Sequence, residues 1–228
     1  MSSLNKHLIV DNFVAPECFQ DIEILLHNEH FLLINKPSGL LSLSGKNPLN
    51  SDSVHRRLIQ GFPTARMVHR LDFGTSGIML IALNKQANTN LTKQFQLRTV
   101  LKTYVSLLGG HLIDDSGEIN APIAKDPQLF PRLKVCYQQG KQARTEYQVI
   151  ERLQDPESTR IRYSPQTGRT HQLRIHSQYA GHPILGCDLY GTPQSHQAAD
   201  RLMLHAETLE FDHPASGERI KGQCASPF

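Results

Sequence analysis

Arg66-Met67-Val68-His69-Arg70-Leu71-Asp72-Phe73-Gly74-Thr75-Ser76-Gly77-Ile78-Met79-Leu80-Ile81-Ala82-Leu83 is a polar loop that runs straight into an unbroken apolar segment. Residues 78–83 have the length of a buried strand and are too short for a buried helix. The loop before them is dense in His, Arg, Asp, Thr and Ser, and loops held by a rigid scaffold commonly carry function. Read alone, Asp72 serves equally well as a turn cap, and Thr75-Ser76-Gly77 as turn chemistry.

Working outward from this strand, residues 22–26 and 31–35 are two apolar runs about a polar turn, which predicts a hairpin. Pro37-Ser38-Gly39 forces a turn. Ser51-Asp52-Ser53 can cap a helix that reaches about Gln60, with Val54, Leu58 and Ile59 facing inward. On the other side, Asn84 can cap a helix whose Ala87, Leu91 and Phe95 recur at four-residue spacing. Residues 101–108 alternate as a strand, and further strands are expected near 117–123, 145–150 and 159–163. Thr170 can cap a helix that Gly181 stops. Leu202, Leu204 and Ala206 alternate in another strand, and the turn at 212–217 leads into a last one. Many strands with few, scattered helices predict an α+β fold around a largely antiparallel mixed sheet. One domain is expected over residues 21–228, after an irregular N-terminal arm at 1–20.

Composition narrows the class. The chain has 228 residues, 39% hydrophobic and 20% charged, enough for a substantial core under a polar surface. No apolar run approaches the ~18–20 residues of a membrane span, and the N-terminus lacks the pattern of a secretory signal, so a cytoplasmic protein is expected. The four cysteines form no C-x-x-C pair, and neither a zinc site nor a disulfide framework is expected. A net charge of +3 is too mild to identify a nucleic-acid binder, yet permits one if the charge gathers on one face.

Two more segments carry polar side chains in suggestive places. In Thr167-Gly168-Arg169-Thr170-His171-Gln172-Leu173-Arg174-Ile175-His176, a helix start would put His171, Arg174 and Gln178 on one face. Such a start beside Arg169 suits an anion, although a solvated helix face fits as well. His171 and His176 are five apart, not the spacing of a helical metal pair, so no metal site is expected. Lys102 and Tyr104 project to one face of their strand, as a surface pair would.

Together these segments resemble the RluA-type family of RNA pseudouridine synthases. The family's His-Arg-Leu-Asp-x-x-Thr-Ser-Gly stands at 69–77, its Lys-x-Tyr at Lys102 and Tyr104, and its Gly-Arg-x-His-Gln-Leu-Arg-x-His at 168–176. Its Gly-His-Pro-Ile-x-Gly-Asp follows from Gly181, with Cys187 inserted before Asp188, and residues 201–206 match a later stretch. The likeness covers roughly residues 20–228, four motifs in the right order. Residues 36–42, 134–137 and 140–147 also look like stretches of the family members that act on both 23S ribosomal RNA and a tRNA anticodon stem-loop. Phe73-Gly74 after Asp72 departs from that pattern, and the S4 RNA-binding domain of many relatives is not expected at 1–20.

The resemblance implies a single chemistry. Uridine's N1–C1′ bond is broken, the base turns, and it is rejoined through C5, so no cofactor is called for. Asp72 is implied as the nucleophile and Arg174 as its ion-pair partner, which predicts an ionised carboxylate. Tyr104 is implied to lie against the flipped uracil, as hydrogen-bond donor or base. Arg70 is implied to enter the RNA stack, with His69, Lys102, Arg169 and His171 also facing the RNA. Leu202 and Leu204 are expected to wall the pocket against water. Whether Asp72 attacks C1′ or helps remove a sugar proton stays open, as do a uracil-releasing glycosylase and a non-catalytic RNA-binding module. A monomer is the simple expectation for the assembly.

Overall fold

A computed structural model describes residues 13–129 and 131–228. Part of the expected N-terminal arm, residues 1–12, lies outside the described residues. Residues 13–20 run without regular secondary structure. Asn50 holds them by donating to the Phe13 carbonyl (2.7 Å) and accepting from the Ala15 N–H (2.8 Å), and Arg57 donates to the Gln20 carbonyl at 2.6 Å.

The chain is α+β. Strands β1 (Glu23–His27) and β2 (Phe31–Lys36) form the expected hairpin. Helix α1 (Val54–Gly61) follows, then β3 (Arg66–Met67), β4 (Ser76–Ala82), α2 (Lys85–Leu97) and β5 (Leu101–Gly109). Next come β6 (Ser116–Asn120), β7 (Ile123–Lys125), β8 (Leu133–Val135), β9 (Arg144–Gln154) and β10 (Glu157–Pro165). The chain ends with α3 (Gln172–Tyr179), the short α4 (Pro193–Gln197), β11 (Leu204–Asp212) and β12 (Arg219–Gln223).

Among the described residues, ten strands join one sheet in the order β1-β2-β4-β11-β5-β10-β9-β6, with β3 also on β4 and β12 also on β11. Every pairing is antiparallel except β4 with β11. β4 is buried along its whole length, which explains its lack of polar alternation. At the parallel crossing Gly77 has φ +111, and a Cβ there would come within 2.2 Å of the Ala206 carbonyl oxygen. Only glycine fits.

The expected caps hold for α1 and α2. Ser53 Oγ accepts the Arg56 N–H (3.2 Å), and Asn84 Oδ1 accepts the Ala87 N–H (2.8 Å). Three expectations need correction. Ile59 is 38% exposed, because α1 spends its inward face on Val54 and Leu58. The strand expected at 117–123 breaks at Ala121-Pro122, since proline cannot continue the ladder. β6 ends before the break, and β7 pairs with β8 in a separate small sheet. Leu202 lies before the start of β11, so the alternation with Leu204 and Ala206 is not all strand.

Two hydrophobic cores are built on the sheet, the first around β2 and β4 and the second around β5 and β10. One is built from residues 31–100 and 206–224, the other from residues 108–204. Tyr104 packs against both.

Candidate active site

The loop between β3 and β4 hangs over a cleft of about 1230 Å³ at the seam between the two cores. Four successive carbonyls of this loop are tied down. Ser42 Oγ donates to the Leu71 carbonyl (2.7 Å), and the Thr75 N–H donates to that of Asp72 (3.1 Å). The Phe73 carbonyl accepts from the Gly39 N–H (3.0 Å) and Lys36 Nζ (3.1 Å), and Ser38 Oγ donates to that of Gly74 (2.7 Å). The turn at residues 36–42 is therefore a clamp that fixes the backbone on both sides of Asp72. The Asp72 carboxylate itself stays 27% exposed to the cleft.

Two basic groups face that carboxylate. Arg174 Nη1 lies 4.0 Å from Oδ2, and His171 Nε2 lies 4.0 Å from Oδ1. Arg174 is 5% exposed and is not Asp72's alone. Its Nη2 donates to Asp188 and its Nε to Cys187 Sγ (3.4 Å), while its guanidinium carbon sits 5.2 Å over the Tyr190 ring. A buried guanidinium needs such company, since desolvating an unpaired charge is costly. Asp188 keeps Arg174 oriented while the exposed oxygens of Asp72 remain available.

Helix α3 presents these groups in an unforeseen way. Gln172 through Ser177 are all buried, so of the polar face drawn through His171, Arg174 and Gln178, Arg174 points into the protein while Gln178 stays exposed. Each polar side chain finds partners. Gln172 Oε1 accepts from Thr167 Oγ1 (2.8 Å) and the Arg169 N–H (3.0 Å), and its Nε2 donates to Thr145 Oγ1 (2.9 Å) and the Arg144 carbonyl (3.1 Å). His176 Nε2 donates to the Ala121 carbonyl (3.0 Å), leaving Nδ1 to accept from Thr145 Oγ1 (2.9 Å). The cap is His171 rather than Thr170. It has φ +56 and no side-chain cap bond, a left-handed turn that aims its ring at Asp72.

Tyr104 comes from β5 into the same cleft. Burial, and then the charge of Asp72, push its phenol well above the usual range, so it is a protonated hydrogen-bond donor at neutral pH. Lys102 lines the cleft beside it, its ammonium disfavoured first by burial and then by Arg98. His69 is placed differently from the implied RNA contact. Its Nε2 accepts the Leu80 N–H (2.9 Å) and its ring stacks on Phe95 at 4.6 Å. Burial, helped by Lys102, takes it down to about 3, so it is a neutral strut between loop and strand.

Arg70 is exposed at the rim, with no hydrogen bond or ion pair among the described residues. Arg169 also lines the cleft, its Nε bound to the Gln142 carbonyl (2.9 Å). Leu204 lines the cleft wall. Leu202 sits instead in the second core, where a Cβ on Gly74 would approach its own Cβ to 3.0 Å, so it supports the loop from behind. Sequence reasoning missed the roles of Lys36, Ser38, Ser42 and Asp188, although each lies in a stretch already matched to the family. It gave no signal for Tyr190 or for Arg98, a cleft-lining cation at the left-handed end of α2.

Comparisons with known proteins fit this geometry. The family model described as RNA pseudouridylate synthase matches residues 30–179, and the chain belongs to that family. It is similar to the dual-specificity RNA pseudouridine synthase RluA of Yersinia pestis, 47% identical over 205 residues, 90% of this chain and 99% of that protein. The RluA of Escherichia coli (strain K12) is 42% identical over 205 residues, 90% of this chain and 93% of that protein. Among solved structures, Human RNA Pseudouridylate Synthase Domain Containing 1 superposes with a TM-score of 0.80 at 30% identity, covering 93% of this chain and 86% of that one. The chain is thus an RNA pseudouridine synthase, an isomerase.

Proposed function

We propose that the chain isomerises particular uridines of structured RNA with Asp72 as nucleophile, acting on both 23S ribosomal RNA and a tRNA anticodon stem-loop. The observation that carries the site assignment is the Asp72 carboxylate, clamped through its backbone and faced on its two oxygens by His171 and Arg174 at 4.0 Å each. The dual target rests on likeness to proteins named for dual specificity.

The flipped uridine enters the cleft with its sugar toward Asp72 and its base toward Tyr104. Attack of the carboxylate at C1′ breaks the N1–C1′ bond, and the Arg174 charge helps to orient the attacking group. The freed uracil turns, C5 bonds to C1′ as the carboxylate leaves, the C5 proton departs and N1 gains one. Asp72 is uncharged while it is esterified. One of the two causes that raise the Tyr104 phenol then disappears, and its proton becomes easier to move when the base needs it. Leu204 and the buried Leu71 limit water, so that the base is rejoined rather than released. Arg70, exposed and unbound at the rim, fills the gap left in the RNA stack, and Arg169 and Lys102 hold phosphates. The enzyme works as a monomer in the cytoplasm, where both RNAs are found. Among the described residues, no helix is long and apolar enough to cross a membrane.

The test is Asp72→Asn with a uridine-containing stem-loop, the nucleosides being separated by chromatography. No pseudouridine is expected from the variant, while the wild-type protein yields it without free uracil. Wild-type turnover by the variant would overturn the nucleophile assignment. Mapping pseudouridine across total RNA with and without the gene is expected to remove one 23S position and one tRNA position together.

A further inference from the structure

Tyr190 is 1% exposed and belongs to no element that carries a reacting group, yet its hydroxyl stands directly behind the site. It accepts the backbone N–H of Leu133 at 3.0 Å, and it lies 2.8 Å from His171 Nδ1. These are its hydrogen-bond contacts among the described residues. A phenol has one hydrogen to give. With Leu133 already donating to the oxygen, that hydrogen has one acceptor in reach, the Nδ1 lone pair. The reverse arrangement, Nδ1–H donating to Tyr190, would put two N–H donors on the phenol and strand its hydrogen in a buried place. It would also turn the bare Nε2 lone pair toward the Asp72 carboxylate. Both are unfavourable.

We infer that Tyr190 is a positioning residue that locks His171 as the Nε2–H tautomer, so that His171 serves Asp72 as a fixed N–H donor and not as a proton acceptor. The inference rests on the reading of Asp72 as nucleophile. Several observations agree with it. The Tyr190 phenol is raised by burial and stays protonated, and His171 is lowered, chiefly by burial, and stays neutral. The rings meet edge to face at 5.5 Å and 67°. Arg132 and Arg174 both lie over the Tyr190 ring, at 5.4 and 5.2 Å, which leaves it little freedom to turn. The left-handed backbone of His171 is then the local cost of presenting Nδ1 backward and Nε2 forward. At 4.0 Å the Nε2–Asp72 contact is just outside hydrogen-bond reach, and such contacts commonly tighten when substrate binds.

The first test is nitrogen NMR of histidine-labelled protein without RNA, with His171 assigned by its loss in His171→Gln. Nδ1 is expected in the unprotonated range and Nε2 in the protonated range. In Tyr190→Phe the two resonances move toward a mixture of tautomers. Turnover under saturating RNA falls about three- to tenfold, the worth of one orienting hydrogen bond, with RNA affinity unchanged. Gln at 171 offers a side-chain amide donor that does not depend on a tautomer, so Tyr190→Phe should cost little more in the His171→Gln background. A protonated Nδ1 in the wild-type protein, or unchanged resonances in Tyr190→Phe, overturns the inference. So does a full Tyr190→Phe penalty in the double variant, which would assign the effect to Leu133, Arg132 or Arg174. The NMR reads no activity, so its failure is separate from failure of the Asp72 assignment.

Discussion

Lys36 has no exposed surface, yet its nitrogen donates to the Pro37 carbonyl (2.8 Å) and to the Phe73 carbonyl beside Asp72. Burial brings it down to about 7, with Cys18 and Asp72 opposing that fall and Arg201 assisting it. The neutral amine still has hydrogens for both carbonyls, so the clamp survives loss of the charge. The consequence for stability has a definite sign. Between about pH 7 and the ordinary lysine range, the unfolded chain holds a proton that the folded chain has released, so stability from this group grows as pH rises. Lys36→Met, compared with the wild type by thermal unfolding from pH 7 to 9, is expected to lack that gain, which is at most about 1.4 kcal/mol per pH unit for one proton. Equal pH slopes would mean that Lys36 is charged in the folded protein. Asp72, Tyr104 and Arg174, the residues proposed to act on the uridine, were legible as candidates because each lies inside a short motif, and the fold brings all three to one cleft. The groups that hold them were not. Lys36 reaches Phe73 across 37 residues and Tyr190 reaches Leu133 across 57, and no local spacing encodes such pairs.

At the scale of elements, α3 carries the clearest lesson. A helix start was legible, but its polar residues fitted an anion site and a solvated face equally well, because spacing alone does not say which face meets water. Here each polar group is paired inside the protein, which makes the helix a rigid mount for Arg174 and for the His171 cap. Gln172 is the keystone, since it joins β9, the 167–169 turn and α3 through four hydrogen bonds. Gln172→Leu keeps the volume but strands the Arg169 N–H and removes the amide donor to Thr145 Oγ1, while the Arg144 carbonyl keeps the Gln166 N–H. It should cost about 2–3 kcal/mol and lower Tm by several degrees in calorimetry. Turnover should fall more than RNA binding, because Arg174 loses its mount while the cleft rim remains. Most strands, though not the short β3 and β8, and the helix caps at Ser53 and Asn84 were readable from local chemistry. The break at Ala121-Pro122 was also written locally, but which sheet β7 would join was not.

At the scale of the whole molecule, the α+β class followed from the count of strands against helices. The sheet order did not, because β11 returns from late in the chain to lie between β4 and β5. That return has a further meaning. The first core is made of the early and late parts of the chain, and the second is made wholly of residues 108–204 lying between them. The passage out and the passage back run along adjacent strands, β5 and β11, which carry the cleft's Tyr104 and Leu204. In modular terms the second half is a cassette that leaves the first along β5 and returns along β11, with β10 paired to the outer side of β5. Residues 109–203 should therefore be exchangeable as one piece for the matching segment of a relative with a different RNA target. The host would keep the Asp72 loop, and the graft would bring its own Arg174. Such a chimera is expected to fold and to place pseudouridine where the donor does, as read by mapping across total RNA. A folded, active chimera that keeps the host's target would locate RNA choice in the first half instead. A fold arranged in this way can change the RNA it serves by recombination at two neighbouring points, without touching Asp72, the proposed nucleophile.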